Sequence, residues 1–142
     1  MNHAVKALIY RDDTRILLQQ RDYNPGIVFQ GYWTFFGGQV ETGESLKDAL
    51  KRELLEELEY SPGNVGEELF QWEWRGDNPF CCNHCLPVLM KADENTLVLK
   101  EGLAMKWFLF EELHEELPLV PGVYENLGKI KEFLDRTFSE KT

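Results

Sequence analysis

Three carboxylates, Glu53, Glu56 and Glu57, stand at i, i+3 and i+4 in a stretch that reads as helix. On a helix those positions project within about a 100° arc of one face, so the three charges converge. Their mutual repulsion in water is costly. A hard divalent cation removes that cost, because Mg²⁺ takes oxygen ligands and is held through a few carboxylates together with substrate phosphates and water. Upstream lies Gly37-Gly38, where absent side chains let a ligand or an ion approach the backbone closely. A solvated acidic stripe is the plainer explanation of such a cluster taken alone. A metal site is the alternative, with the glycine pair and Glu44 close by in the chain.

From Gly38 to Glu57 the chain runs GQVETGESLKDALKRELLEE. This resembles the Nudix box, GX5EX7REUXEEXGU with U aliphatic, matching at Gly38, Glu44, Arg52, Glu53, Leu54, Glu56 and Glu57. The resemblance implies a MutT-like Nudix hydrolase using Mg²⁺ or Mn²⁺. Water would attack one phosphorus of a diphosphate while the metal neutralises oxygen charge and acidifies a bound water. It implies that Gly37 offers a backbone carbonyl to the metal and that Glu53, Glu56 and Glu57 coordinate it. Glu44 would pair with Arg52 and tie loop to helix. Within the box Glu53 or Glu56 could serve as general base. Relatives also recruit a base or further ligand from outside it, for which Glu73, Glu94 and Glu101 are candidates. Arg21 and Tyr32 sit where relatives contact phosphate or base, and Gly38 leaves room for substrate beside the backbone. The substrate class is a nucleoside triphosphate or another nucleoside diphosphate derivative, with a nucleotide sugar or ADP-ribose, or a non-catalytic nucleotide-binding module, as alternatives. The chain departs from the box at Glu59, where the pattern has glycine, and at Tyr60, where it has an aliphatic residue. Glycine there usually stops the helix in a left-handed conformation, so the helix is free to run on to Ser61-Pro62. Phe36 replaces the proline of many relatives, a mark of a different substrate.

These groups must be positioned by the elements around them. Val5 to Tyr10 and Ile16 to Arg21 read as strands joined by the polar turn 11–14. Asp22 to Gly31 reads as a loop able to reach over a pocket, and Trp33 to Phe36 as a buried strand running into the glycine pair. Glu44-Ser45 starts a helix with Leu46, Ala49, Leu50, Leu54 and Leu58 on one stripe. Leu69 to Trp74 alternates as a half-buried strand, and Phe80 to Lys91 continues as strand with Pro87 demanding an edge or a bulge. Met105 to Phe110 is a strand, Glu111 to Leu117 a short acidic helix, and Tyr124 to Phe138 a final amphipathic helix. Strands alternating with helices, some in adjacent hairpins, predict an α/β fold, an α/β/α sandwich with a mixed central sheet, as one domain over residues 1–142.

Composition narrows the partners. With 142 residues, 43% of them hydrophobic, the chain can bury a core without disulfides. A net charge of -10 tells against a nucleic-acid backbone as partner, whereas a small phosphate ester is bound readily through an intervening cation. No apolar run approaches the roughly 20 residues of a membrane span, which predicts a cytoplasmic protein without a membrane partner, as a monomer or homodimer. Cys81, Cys82, His84 and Cys85 suggest zinc, but they form a single segment, and a closed zinc site usually pairs ligands from two. On a strand, 81 and 85 point one way and 82 and 84 the other, so the expectation is reduced thiols packed in a strand. Trp33, Trp72, Trp74, Trp107 and Phe110 could stack on a nucleobase, though most belong to the core.

Overall fold

The computed structural model describes residues 2–24, 26–73, 81–91, 96–100, 102–113 and 117–139. The elements are β1 (Asn2–Tyr10), β2 (Ile16–Gln20), β3 (Trp33–Thr34), β4 (Phe36–Gln39), α1 (Leu46–Leu58), β5 (Phe70–Glu73), β6 (Cys81–Leu89), β7 (Ala104–Phe108), a 3-10 turn (Phe110–Leu113), α2 (Pro121–Tyr124) and α3 (Leu127–Phe138).

β1 and β6 pair in parallel from Asn2 opposite Cys81 to Tyr10 opposite Leu89. Strands covered on both faces need apolar side chains on both, and β1 runs Ala4-Val5-Lys6-Ala7-Leu8-Ile9 with Lys6 as its one charge. Val5, Ala7, Ile9, Leu86 and Val88 pack beneath Ala49, Leu50, Leu54 and Leu58 of α1. On the opposite face Leu8, Ile16, Leu18, Phe35 and Cys85 pack against Val123, Ile130 and Leu134 of α2 and α3. The result is the expected α/β/α sandwich around a mixed sheet.

The sheet forks. β1 and β2 are antiparallel neighbours only at Ile9–Leu17 and Tyr10–Ile16, next to their turn. Beyond that point β4 takes the place beside β1, from Ala4–Gln39 to Ala7–Phe36. β3 pairs instead with Gln19 and Gln20 of β2, whose other edge is covered by β7. The strand expected over Trp33–Phe36 is therefore two strands hinged at Phe35, because one strand cannot follow two diverging edges. A short run with no glycine or proline in it carries no mark of such a switch. The fork leaves an opening between the two branches, and the side chains of Lys6, Gln19, Thr34 and Phe35 line it.

Three further expectations are revised. α1 stops at Leu58 rather than running on to Ser61-Pro62, since Glu59 takes the left-handed conformation (φ 52°, ψ 34°) itself. Its N–H bonds Leu55 O at 3.0 Å and that of Tyr60 bonds Leu54 O at 3.3 Å, the paired C-terminal bonds that glycine usually supports. The final helix is broken: α2 ends at Tyr124, and α3 begins only after Asn126 (φ -110°, ψ 13°), whose side-chain amide donates to Gly122 O at 2.7 Å. The acidic helix over 111–117 is a 3-10 turn in its first part, with 114–116 outside the described residues, as are Trp74, the 75–79 turn and Phe80. Pro87 sits where β6 becomes an edge, because β5 pairs only with Cys82–Cys85. No helix among the described residues is long and apolar enough to cross a membrane.

Candidate active site

Ser45 fixes the start of α1: its hydroxyl accepts the Asp48 N–H at 3.1 Å, satisfying one of the free donors of the first turn. With Ala49, Leu50, Leu54 and Leu58 buried, the helix turns Glu53 and Glu57 toward β4. Glu57 is only 3% exposed, so its charge must be met within the protein. Its carboxylate accepts the Gly37 N–H at 3.1 Å and the Gln19 side-chain amide at 3.4 Å. Glu53 lies directly over Gly38, where an added Cβ would fall 2.4 Å from its carboxyl carbon and 2.5 Å from both oxygens. Gly37 has φ +148°, and a Cβ there would fall 2.0 Å from Val5 O. Gly37 is therefore sterically required by the β1 backbone, whereas a side chain at Gly38 would displace the Glu53 carboxylate.

Arg52 holds the loop and helix together. It grips Glu44 with two bonds, Nε to Oε2 at 2.8 Å and Nη2 to Oε1 at 2.9 Å. Its Nη2 also donates to Gln39 O at 3.0 Å, and its Nη1 to Glu53 Oε1 at 3.0 Å and Glu56 Oε1 at 3.4 Å. The Arg52 bonds, followed by the Glu41 N–H, hold the Glu44 carboxyl down to about 2. The guanidinium is itself pushed up, first by Glu44 and also by Glu53. Fork-on-fork pairing of this kind fixes orientation as well as charge. Glu56 is the outlier of the trio, with a side chain 58% exposed that meets Arg52 at the rim.

Glu57 and Gly37 form part of the wall of a cleft of about 450 Å³ that includes Lys6, Gln19, Arg21, Asp22, Thr34, Phe35 and Lys100. Burial pushes the Lys6 ammonium below its ordinary range; Glu57 opposes that shift and Arg21 adds to it. Arg21 is braced by the loop it precedes, its Nε donating to Val28 O at 3.1 Å. The arrangement thus combines the hard carboxylate oxygens of Glu57 and Asp22 with three cationic side chains, Lys6, Arg21 and Lys100, in the wall of one opening.

A family model described as NUDIX domain matches residues 2–129. The chain belongs to the NUDIX domain family. Nucleoside triphosphatase NudI of Salmonella arizonae is 40% identical over 75 residues, covering 49% of this chain and 47% of that protein. Among solved structures, the E. coli ORF135 protein is 32% identical with a TM-score of 0.68, covering 100% of this chain and 94% of that one. The MutT protein of Methanosarcina mazei is 25% identical with a TM-score of 0.71, covering 99% and 96%. The chain spans 30% and 47% of the length of two curated relatives that it matches.

Within this NUDIX domain the box residues named from the sequence meet in pairs rather than as one gathered set of ligand atoms: Gly37 with Glu57, Gly38 with Glu53, and Arg52 with Glu44, Glu53 and Glu56. Arg21 lines the cleft, whereas Tyr32 is exposed and packs on Phe29 in the loop instead. Of the candidate bases, Glu73 is on β5 opposite Cys82, away from the cleft wall, and Glu94 and Glu101 lie outside the described residues. Trp33 packs on Phe108, Trp72 on Phe35 and Phe70, and Trp107 under the Arg11 guanidinium. The described aromatic in the cleft wall is Phe35. Lys6 and Gln19 were missed by the sequence reading. Their signal was a polar residue inside or closing an otherwise apolar strand, which a covered strand does not carry without a use.

Proposed function

We propose that the chain is a divalent-metal-dependent pyrophosphohydrolase that cuts the diphosphate linkage of a nucleoside triphosphate or related nucleoside diphosphate derivative. The observation that carries this reading is the buried Glu57 carboxylate, tied to Gly37 and Gln19 at a cleft that also presents Lys6 and Arg21. The proposed donor set is all oxygen, Glu53, Glu56 and Glu57 together with the Gly37 carbonyl that the family resemblance adds, which suits Mg²⁺ or Mn²⁺ and not a soft ion. A metal so held neutralises charge on the diphosphate oxygens and lowers the pKa of a bound water.

The chain's own residues do the rest. Lys6 and Arg21 face the diphosphate oxygens and take up charge that builds on them as the bridge breaks. Glu53 or Glu56 accepts the proton of the attacking water, and Arg52, held by Glu44, keeps both carboxylates within reach. Phe35 and the loop beyond Arg21 close one side of the cleft and limit competing water.

The test is a product-resolved panel of nucleoside triphosphates, nucleotide sugars and ADP-ribose with Mg²⁺ or Mn²⁺. We expect cleavage at a diphosphate bridge, abolished by EDTA and lowered at least about 10²-fold in Glu57→Gln. Nucleotide-dependent thermal shifts without turnover would instead mark a binding module.

A further inference from the structure

On the α1 face of the sheet, His3 of β1 and Cys82 of β6 are direct neighbours in the parallel ladder, and His84 follows two residues further along β6. One ligand atom from each of His3, Cys82 and His84 lies within 4.8 Å of the other two. The two imidazoles face one another, His3 Nδ1 being 2.9 Å from His84 Nε2. The other nitrogen of His84, Nδ1, bonds the Glu68 carboxylate.

We propose that His3, Cys82 and His84 form a second metal site, specific for a borderline-soft ion such as Zn²⁺ and separate from the glutamate site. Zinc–nitrogen bonds of about 2.05 Å and zinc–sulfur bonds of about 2.3 Å place tetrahedral ligands about 3.3–3.6 Å apart. The two facing nitrogens, now 2.9 Å apart, must separate by about 0.4 Å, and the wider spacings of up to 4.8 Å must close by about 1 Å, both within reach of rotation by exposed His3 and half-buried Cys82. Glu68 fixes the proton of His84 on Nδ1 and leaves the Nε2 lone pair turned to the cluster, the carboxylate–histidine–metal arrangement that orients zinc ligands. Cys82 now donates to Gln71 Oε1 at 3.2 Å, a weak bond that a metal readily replaces. Taken alone, the Cys81–Cys85 segment lacks the second chain segment that a zinc site needs, and β1 supplies it through His3. An ion there adds a cross-link between two strands already joined by the ladder and the His3–His84 contact, and solvent on the His3 side completes the coordination.

The test uses the full chain with Co²⁺ as a spectroscopic stand-in for zinc and a large excess of Mg²⁺ to occupy the glutamates. We expect one equivalent of Co²⁺ to give thiolate-to-cobalt charge transfer and tetrahedral visible bands, both displaced by Zn²⁺. Cys82→Ser should abolish the charge transfer, His3→Ala should weaken binding at least tenfold, and Glu68→Gln should weaken it roughly tenfold to a hundredfold. Glu57→Gln should leave the bands unchanged. Because His3 and Cys82 are surface-accessible, their variants keep the fold, which circular dichroism verifies. Absence of the thiolate band, its persistence in Cys82→Ser, or its loss in Glu57→Gln would overturn the assignment and leave a hydrogen-bonded histidine pair.

Discussion

Replacing Gly38 by alanine separates a positioning effect from a folding effect. The new Cβ would fall 2.4 Å from the Glu53 carboxyl carbon, where ordinary contact starts near 3.4 Å, so the carboxylate must retreat by about 1 Å. Glu53 is the far end of a flexible side chain and can retreat by rotation, without moving the backbone. The conformational entropy that alanine removes from the unfolded chain offsets part of any strain, and the net stability change should stay below about 1 kcal/mol. Catalysis is less forgiving, since a misplacement of about 1 Å costs on the order of 10²-fold, or about 2.7 kcal/mol of barrier. The assay is kcat/KM across a Mg²⁺ titration together with a melting curve. Gly38→Ala should lose about 10²-fold in kcat/KM, need more Mg²⁺ for half-maximal rate, and melt within about 3 °C of the parent. Gly37→Ala is the contrast. Its Cβ meets the Val5 carbonyl at 2.0 Å with φ at +148°, so the strand pair must shift, and we expect a loss of more than about 3 kcal/mol. Unchanged kcat and Mg²⁺ half-saturation in Gly38→Ala would refute the claim that Glu53 is held in place to serve the metal. A melting loss as large as that of Gly37→Ala would assign the second glycine to the fold.

Glu44 titrates at about 2 rather than 4.5 in the folded chain, so its contribution is full above the unfolded value and is lost as pH falls between the two. The gap in melting temperature between the parent and Glu44→Gln should therefore be constant at neutral pH and narrow on acidification from about 4.5 to about 2. Glu59→Gly should stabilise the chain by about 0.5–1 kcal/mol in denaturant melts, because the left-handed cap no longer carries a side chain, while activity is unchanged. Lys6→Met keeps the length and removes the charge: a cation about 5 Å from a phosphate at an effective dielectric of about 20 contributes about 3 kcal/mol, so kcat/KM should fall by about 10²-fold. The same variant should melt higher, since burying the ammonium is what depresses its proton affinity.

The layers and the box were legible because both are local patterns. Leu46 to Leu58 follows the helical period, and the box residues lie on one helix and the short segment before it. The fork of the sheet was not legible, since Trp33 to Phe36 runs without a glycine, proline or other turn residue while its pairing partner changes from β2 to β1. The helix break at Asn126 was hidden for a similar reason: the apolar stripe continues across it, and the bond from its side chain to Gly122 O is visible only in three dimensions. Glu59 shows the limit of motif reasoning. The paired bonds from Glu59 and Tyr60 stop the helix in the conformation that the missing glycine would have taken, so a substitution altered the cost of the turn without altering its shape. Lys6 and His3 were passed over because each is a single polar residue in β1, and what each does depends on its neighbours across the ladder, Gly37 for the first and Cys82 for the second.

The charge pattern of the cleft ties ion and nucleotide together. A chain of net charge -10 whose cleft wall includes Glu57 and Asp22 repels a polyphosphate, and Lys6, Arg21 and Lys100 offset that only in part. Lys100 is also shared with Glu59 at 3.3 Å, which leaves Lys6 and Arg21 as the cations set deeper in the wall. A divalent ion beside Glu53 and Glu57 reverses the local sign, so the ion must tighten the nucleotide, and by thermodynamic linkage the nucleotide must tighten the ion by the same factor. Glu57→Gln removes one negative charge and with it part of both terms: nucleotide binding measured without metal should strengthen, while the gain on adding Mg²⁺ should shrink. A protein that bound nucleotide through Lys6 and Arg21 alone would show the first change and no second. Calorimetry in which each ligand is titrated with and without the other distinguishes these cases: linkage makes the two coupling factors equal in either case, and only a site shared through Glu57 makes them smaller in the variant.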